Sequence, residues 1–228
     1  MIPIRDQIRT RRVPFINYLL ITLNIIVFIF EWLSGASTDS ALLSQLAFTP
    51  ASFLAAPANP GNIGSLFTSM FLHAGLLHLA GNMLYLWIFG DNVEDRMGHI
   101  PYLIFYLAGG VFAALAHAFI NPASTLPTVG ASGAIAAVLG AYLVFYPRSR
   151  VQTFIPIGYF MTLKTLPASL LLAFWFILQL FNGVLSLGAA QDVGGTAFWA
   201  HIGGFVLGVV IALIVGKGRS ADRGQPQW

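Results

Sequence analysis

The chain has 228 residues, 57% of them apolar and 8% charged, with a net charge of +3, a mean hydropathy of +0.78 and no cysteine. Soluble domains carry about 25% charged residues, so a soluble globular fold is excluded, and high hydrophobicity with little net charge excludes disorder. Without cysteine there is no disulfide, no thiolate nucleophile and no cysteine-ligated zinc.

Residues 1–12 are a basic segment containing Arg5, Arg9, Arg11 and Arg12. Residues 13–33 are the first of six apolar stretches near the roughly 20 residues that cross a ~30 Å hydrocarbon core. Arg11-Arg12, this run and Ser34-Gly35-Ala36 imitate a signal peptide, but the run is long for one and Glu31-Trp32 suits a cleavage site poorly, so the stretch reads as an uncleaved anchor. Residues 34–65 form an outer loop with no Lys or Arg, apolar over 41–56 and expected to rest on or in the outer leaflet. A long, semi-apolar loop of this kind tends to be functional. The remaining stretches are 66–89, 100–120, 128–146, 166–187 and 196–215. Between the fourth and fifth, 147–165 holds an apolar run over 151–163 that is short, interrupted by Pro156 and followed by Lys164. It is expected to lie at the cytoplasmic interface. Residues 188–195 form a small-residue outer loop, and 217–228 a basic tail.

A spanning segment must satisfy its own backbone, so the six stretches are expected to be helices. Their continuous rather than alternating apolarity argues against a barrel. The expected fold is an all-α polytopic membrane protein, a bundle of six transmembrane helices over 13–216. With six spans, all 11 Lys and Arg fall on one side. The positive-inside rule then puts both termini in the cytoplasm. The same asymmetry accounts for the basic balance, so no nucleic-acid partner is expected.

Polar groups inside spans are costly and therefore informative. They are Asn17 and Asn24 in the first stretch, His73, His78 and Asn82 in the second, His117 in the third, Ser132 in the fourth, Gln179 and Asn182 in the fifth and His201 in the sixth. Counted from the cytoplasmic ends at 1.5 Å per residue, Ser132 and His201 each stand about 21 Å up and His78 about 17 Å, in one outer layer of a ~30 Å core. Asn82 lies one turn deeper than His78 on the same face. Gly204 and Gly208 form a small-xxx-small pair on the face of His201, and Ser132 is flanked by Gly130 and Gly133. Such residues let backbones approach closely, so the fourth and sixth spans are expected to touch with Ser132 and His201 between them. Ligation of a metal or haem by His73, His78 and His201 is a rival reading. Two histidines five residues apart do not share a helix face, however, and no carboxylate accompanies them. A transporter would show repeats or broken helices, and neither stands out.

Four motifs then carry a resemblance. Gly130-Ala131-Ser132-Gly133 matches GxSG, His73, His78 and Asn82 match HxxxxHxxxN, Ala200-His201-Ile202-Gly203-Gly204 matches AHxGG, and Glu94, Arg96 and Gly98 match ExRxG. In this order and at these depths they resemble the rhomboid intramembrane serine proteases. The resemblance covers about residues 5–215 and implies a rhomboid-like bundle of prokaryotic type in the cytoplasmic membrane, its site opening outward. It implies a Ser132–His201 dyad without a third acid, Asp192 reading as solvated. His78, Asn82 and the Ser132 N–H would receive the oxyanion. His73 reads as loop or helix-end structure, and His117, Gln179 and Asn182 as structural. The fifth span and 188–195 would move to admit a substrate helix. Substrates would be other transmembrane proteins, with no metal or organic cofactor, and the oligomeric state is not legible. Two positions depart from the family. A frequent Trp-Arg pair is replaced by Gly64-Ser65, and an aromatic four residues after the nucleophile by Ala136, for which Phe198 or Trp199 would compensate. A catalytically inactive relative that only binds membrane clients is the second rival reading.

Overall fold

Backbone groups cannot be left unbonded in hydrocarbon, which is why apolar runs fold as helices. The computed structural model of the chain describes residues 1–35, 45–157, 160–187 and 196–218. A strand, β1 (Ile2–Asp6), precedes α1 (Phe15–Leu33). Two short helices, α2 (Pro50–Ala55) and α3 (Pro60–Thr68), each begin at a proline, where its missing N–H costs no helical bond. After a single 3₁₀ turn, Ser69–Phe71, comes α4 (Leu76–Tyr85), which runs through a π turn (Leu86–Gly90) into α5 (Asp91–Met97). Then follow α6 (His99–Ile120), α7 (Ser132–Phe145), β2 (Arg150–Ile157), β3 (Phe160–Pro167), α8 (Ala168–Ser186) and α9 (Phe198–Gly218). Among the described residues four helices, α1, α6, α8 and α9, are long and apolar enough to cross a membrane, and a bent pair, Pro60–Phe71 with Leu76–Met97, makes five if counted as one.

Three expectations change. The stretch 66–89 is not one helix: it breaks at 72–75 and its two pieces meet at 80°. Apolarity alone cannot show such a break, because the residues on both sides of it are apolar. The stretch 128–146 is helical only from Ser132, which leaves α7 about 21 Å long, short of a ~30 Å core. The chain is not all-α: the segment 147–165 is mostly β2 and β3, which with β1 form an antiparallel sheet in the order β1-β2-β3. Pairing of β1 with β2 runs from Asp6↔Val151 to Ile2↔Phe154. Pro156 lies beyond the reach of β1, so its missing donor breaks no bond on that side. The expected cap at 188–195 with Asp192, most of the tail, and residues 36–44 of the outer loop lie outside the described residues.

The bundle is organised around α7, which is buried from Gly133 to Tyr142. At its C-terminal end, Tyr142 donates to Asp6 Oδ2 at 2.7 Å, and Asn92 Nδ2 donates to the same oxygen at 2.8 Å. Nearby, Glu94 is 1% exposed and takes the place of a cap for α1, which has no side-chain cap of its own. Its carboxylate accepts the N–H groups of Ile16 at 2.9 Å and Asn17 at 2.6 Å, and lies 2.5 Å from His99 Nδ1. Asp95 accepts the N–H groups of Arg11 and Arg12. Carboxylates at a helix N-terminus are favoured by its dipole and its unbonded donors. Glu94, singled out in the sequence as part of a motif, thus joins α1 to the rest of the bundle.

Burial pushes the Asp6 carboxyl up from the ordinary 3.8 to about 6, against the opposing pull of its hydrogen bonds. The folded chain therefore holds this proton more tightly than the unfolded chain. The contribution is complete below about 3.8 and is lost as pH rises through about 6. Hydrogen-exchange protection of β1 amides is expected to be greater near pH 5 than near pH 7.5, and Asp6→Asn to remove most of that difference. Equal protection at both pH values would contradict this account of Asp6.

Candidate active site

The loop entering α7 carries non-helical backbone into the bundle and satisfies it with protein partners. Phe48 and Thr128 exchange two backbone bonds, Phe48 N–H to Thr128 O at 3.1 Å and Thr128 N–H to Phe48 O at 2.7 Å. Gly130 N–H donates to Ser69 O at 2.9 Å. Gly130 has φ +120°, a conformation that residues with side chains rarely adopt. Ala131 precedes α7 and Ser132 is its first residue, so the Ser132 N–H has no acceptor within its own helix.

The Ser132 hydroxyl lies 2.7 Å from His201 Nε2. Their helices meet backbone to backbone. A Cβ on Gly204 would run into the Gly133 carbonyl, one on Gly208 into the Ala137 carbonyl, and one on Gly140 into the Phe205 carbonyl. Gly203 faces Ala116 of α6, and a Cβ on Gly133 would lie 2.6 Å from Ala113 of the same helix. Two further side chains reach the imidazole from α8. Gln179 Oε1 is 2.9 Å from His201 Nδ1, and both residues are 9% exposed. The Trp175 ring lies 5.8 Å from the His201 ring at 34°. From the sequence Gln179 reads as structural, and Trp175, with the other aromatics of its span, as lipid-facing or core. Their spacing of four residues on one helix, polar after aromatic, was the available signal.

His78 and Asn82 stand one turn apart on α4 and converge on Gly130. A Cβ there would lie 2.7 Å from His78 Cε1 and Nε2, and 3.7 Å from Asn82 Nδ2. Ala74 N–H donates to His78 Nδ1 at 3.4 Å, which leaves Nε2 as the ring's N–H. Asn82 Nδ2 is buried without a partner among the described residues. His73 lies in the break before α4, edge-on to His78 at 5.2 Å. Its N–H donates to Glu31 Oε2 at 3.4 Å, and Glu31 is itself buried near the end of α1.

The other polar residues are engaged elsewhere. Asn17 bonds Leu86 O and Tyr102, and Asn24 bonds Leu20 O. His117 lies against Asn121, and Asn182 bonds Leu178 O of its own helix. At the departures noted in the sequence, the outer loop is held by Phe48, which is fully buried. The methyl of Ala136 lies 3.3 Å from where a Gly204 Cβ would sit, so a larger side chain there would face that helix contact. Trp175, not Phe198 or Trp199, flanks His201; those two pack by Gly183. Both nitrogens of His201 are within bonding distance of Ser132 and Gln179. Among the described residues no three His, Cys, Asp or Glu side chains form a metal cluster.

A family model described as the Rhomboid domain matches residues 60–218. The chain is 30% identical over 212 residues to "Rhomboid protease GluP" of Bacillus subtilis (strain 168), covering 93% of this chain and 37% of that protein. It is 28% identical over 163 residues to "Rhomboid protein 1, mitochondrial" of Saccharomyces cerevisiae, covering 70% of this chain and 44% of the other. It is 30% identical over 167 residues to "RHOMBOID-like protein 12, mitochondrial" of Arabidopsis thaliana, covering 62% and 47%. The chain thus spans less than half the length of each of these relatives.

The glycine contact makes a direct prediction. Gly208→Val must displace α9 from a backbone carbonyl and is expected to cost about 1–3 kcal/mol, as overpacking does. Gly81→Ala, where nothing lies within 4 Å, is expected to cost nothing. Thermal unfolding in detergent compares the two; equal midpoints would mean the α7–α9 approach is not tight.

Proposed function

The chain belongs to the rhomboid family of multi-pass helical membrane proteins, and we propose that it is an intramembrane serine endopeptidase with Ser132 as nucleophile and His201 as base. The observation that carries this is the 2.7 Å approach of Ser132 Oγ to His201 Nε2 between two helices joined through glycine. A serine hydroxyl is a weak nucleophile until a base takes its proton. His201 Nε2 takes it as Oγ attacks the scissile carbonyl, and returns it to the departing amine. Water then repeats the sequence on the acyl-enzyme.

The oxyanion forms beside Gly130. The Ser132 N–H, His78 Nε2–H and Asn82 Nδ2, which has no partner among the described residues, are donors available there. Donors already in place when charge develops need no reorganisation. The substrate is a transmembrane segment unwound near its outer end, since a helix hides its carbonyls in its own bonds. No step uses a metal or an organic cofactor.

Topology follows from the same reading. The four long helices, the bent pair and the short α7 make six spans. The basic N-terminal segment, β1–β3 and the tail lie on the cytoplasmic side. The membrane is a prokaryotic cytoplasmic membrane, a reading supported by the Bacillus relative that matches 93% of the chain, while the other two relatives named above are mitochondrial. Because α7 is short, Ser132 sits below the outer surface.

The test is cleavage of a single-span reporter in proteoliposomes. Wild type is expected to cut in or beside the span, and Ser132→Ala and His201→Ala to abolish the cut. Asn82→Ala is expected to lower the rate by about 10²–10³, the usual loss of one oxyanion donor. Cleavage that persists in both dyad variants would overturn the assignment. Fluorophosphonate labelling of Ser132 separates a protease from an inactive client-binding relative.

A further inference from the structure

We propose that Gln179 is the positioning residue of the dyad: its amide oxygen, 2.9 Å from His201 Nδ1, holds the imidazole in the tautomer that leaves Nε2 able to accept the Ser132 proton. The inference rests on the reading of Ser132 and His201 as nucleophile and base.

A neutral imidazole carries one proton on either nitrogen. With the proton on Nε2, an N–H faces the Ser132 hydroxyl and cannot take its proton. With the proton on Nδ1, the Nε2 lone pair faces the hydroxyl at 2.7 Å. Ser132 does not choose between these states, since a hydroxyl both donates and accepts. A carbonyl oxygen only accepts, so Gln179 Oε1 selects Nδ1–H. Gln179 is 9% exposed, which limits the room for water to substitute for it. Trp175, one turn earlier on α8, lies against the ring and restricts its rotation.

The proton count is simple. When Oγ attacks, its proton passes to Nε2 and the ring becomes imidazolium, with Nδ1–H still donated to Gln179. The Nε2 proton then leaves with the amine, and the ring returns to the same tautomer. An amide steers the ring as an orienting carboxylate does, but adds no buried charge. The acceptor stands on α8 while Ser132 and His201 stand on α7 and α9. Displacement of α8 therefore withdraws it. Among the described residues, His78 on α4 and His117 on α6 are the ionisable groups whose charge bears on His201.

The experiment measures fluorophosphonate labelling of Ser132 against pH in the full-length protein, for wild type, Gln179→Leu, Gln179→Glu and Ser132→Ala. The Leu variant is expected to keep its thermal midpoint and label about tenfold or more slower, because the tautomer is no longer selected. The Glu variant keeps an acceptor and is expected to recover labelling to within a few-fold of wild type. Its acidic limb is expected to move up by about one pH unit, since a carboxylate favours the imidazolium. A folded Leu variant with the wild-type rate and profile overturns the proposal. So does a Glu variant no better than Leu, which would mean the amide donates to Nδ1 instead. Label that persists in Ser132→Ala overturns the functional reading itself, a different result from either of these.

Discussion

The approach of α9 to α7 through glycine is the constraint on which the site depends. In a bilayer there is little hydrophobic drive between helices, so association relies on close packing and interhelical bonds. Gly204 and Gly208 rest on the carbonyls of Gly133 and Ala137, and Gly140 on that of Phe205. Only at this spacing do a short serine side chain and an imidazole on facing helices come within 2.7 Å. Ala136, at the same contact, obeys the same limit. An aromatic there would compete with the helix approach, and the ring that flanks His201 comes instead from α8 as Trp175.

A second constraint is backbone satisfaction away from water. Two non-helical segments enter the bundle, 72–75 and 128–131. Such segments are tolerated only where protein supplies their partners. Ser69 O accepts from Gly130, Phe48 pairs with Thr128, and Glu31 accepts from His73. These bonds join the outer loop and the 3₁₀ turn to the loop before Ser132, and α1 to the break before α4. The same backbone path that makes α7 short also frees the Ser132 N–H from helical pairing. Shortness of the helix and an available donor are therefore one feature.

The polar residues of the candidate site were largely legible, because a histidine, serine or asparagine in an apolar run is costly and stands out. Ser132, His201, His78 and Asn82 each stand out that way, and the structure brings Ser132 to His201 and brings His78 and Asn82 to Gly130. What stayed hidden depends on geometry that apolarity does not encode. The run 66–89 is apolar on both sides of its 80° bend. The strands within 147–165 form by pairing with each other and with β1, partners that its apolarity does not name. Glu31 draws notice in the sequence only as ill-suited to a cleavage site, yet it is buried and receives the His73 backbone N–H. Gln179 was visible as a polar residue, but its partner lies 22 positions away on another helix.

The neutral character of Gln179 fits its location. A carboxylate in this buried place would need compensation for desolvation, and it would find it by drawing a proton onto the imidazole. The resting base would then be lost over a wider range of pH. An amide loses less on burial and keeps its acceptor at every pH. It gives the resting ring direction while leaving the imidazolium without a counter-charge. On the proposed mechanism, stabilisation of charge is thus left to the transition state, with the oxyanion beside His78 and Asn82 and the imidazolium beside Gln179. The division matches a membrane interior, where a standing charge costs more than an oriented dipole.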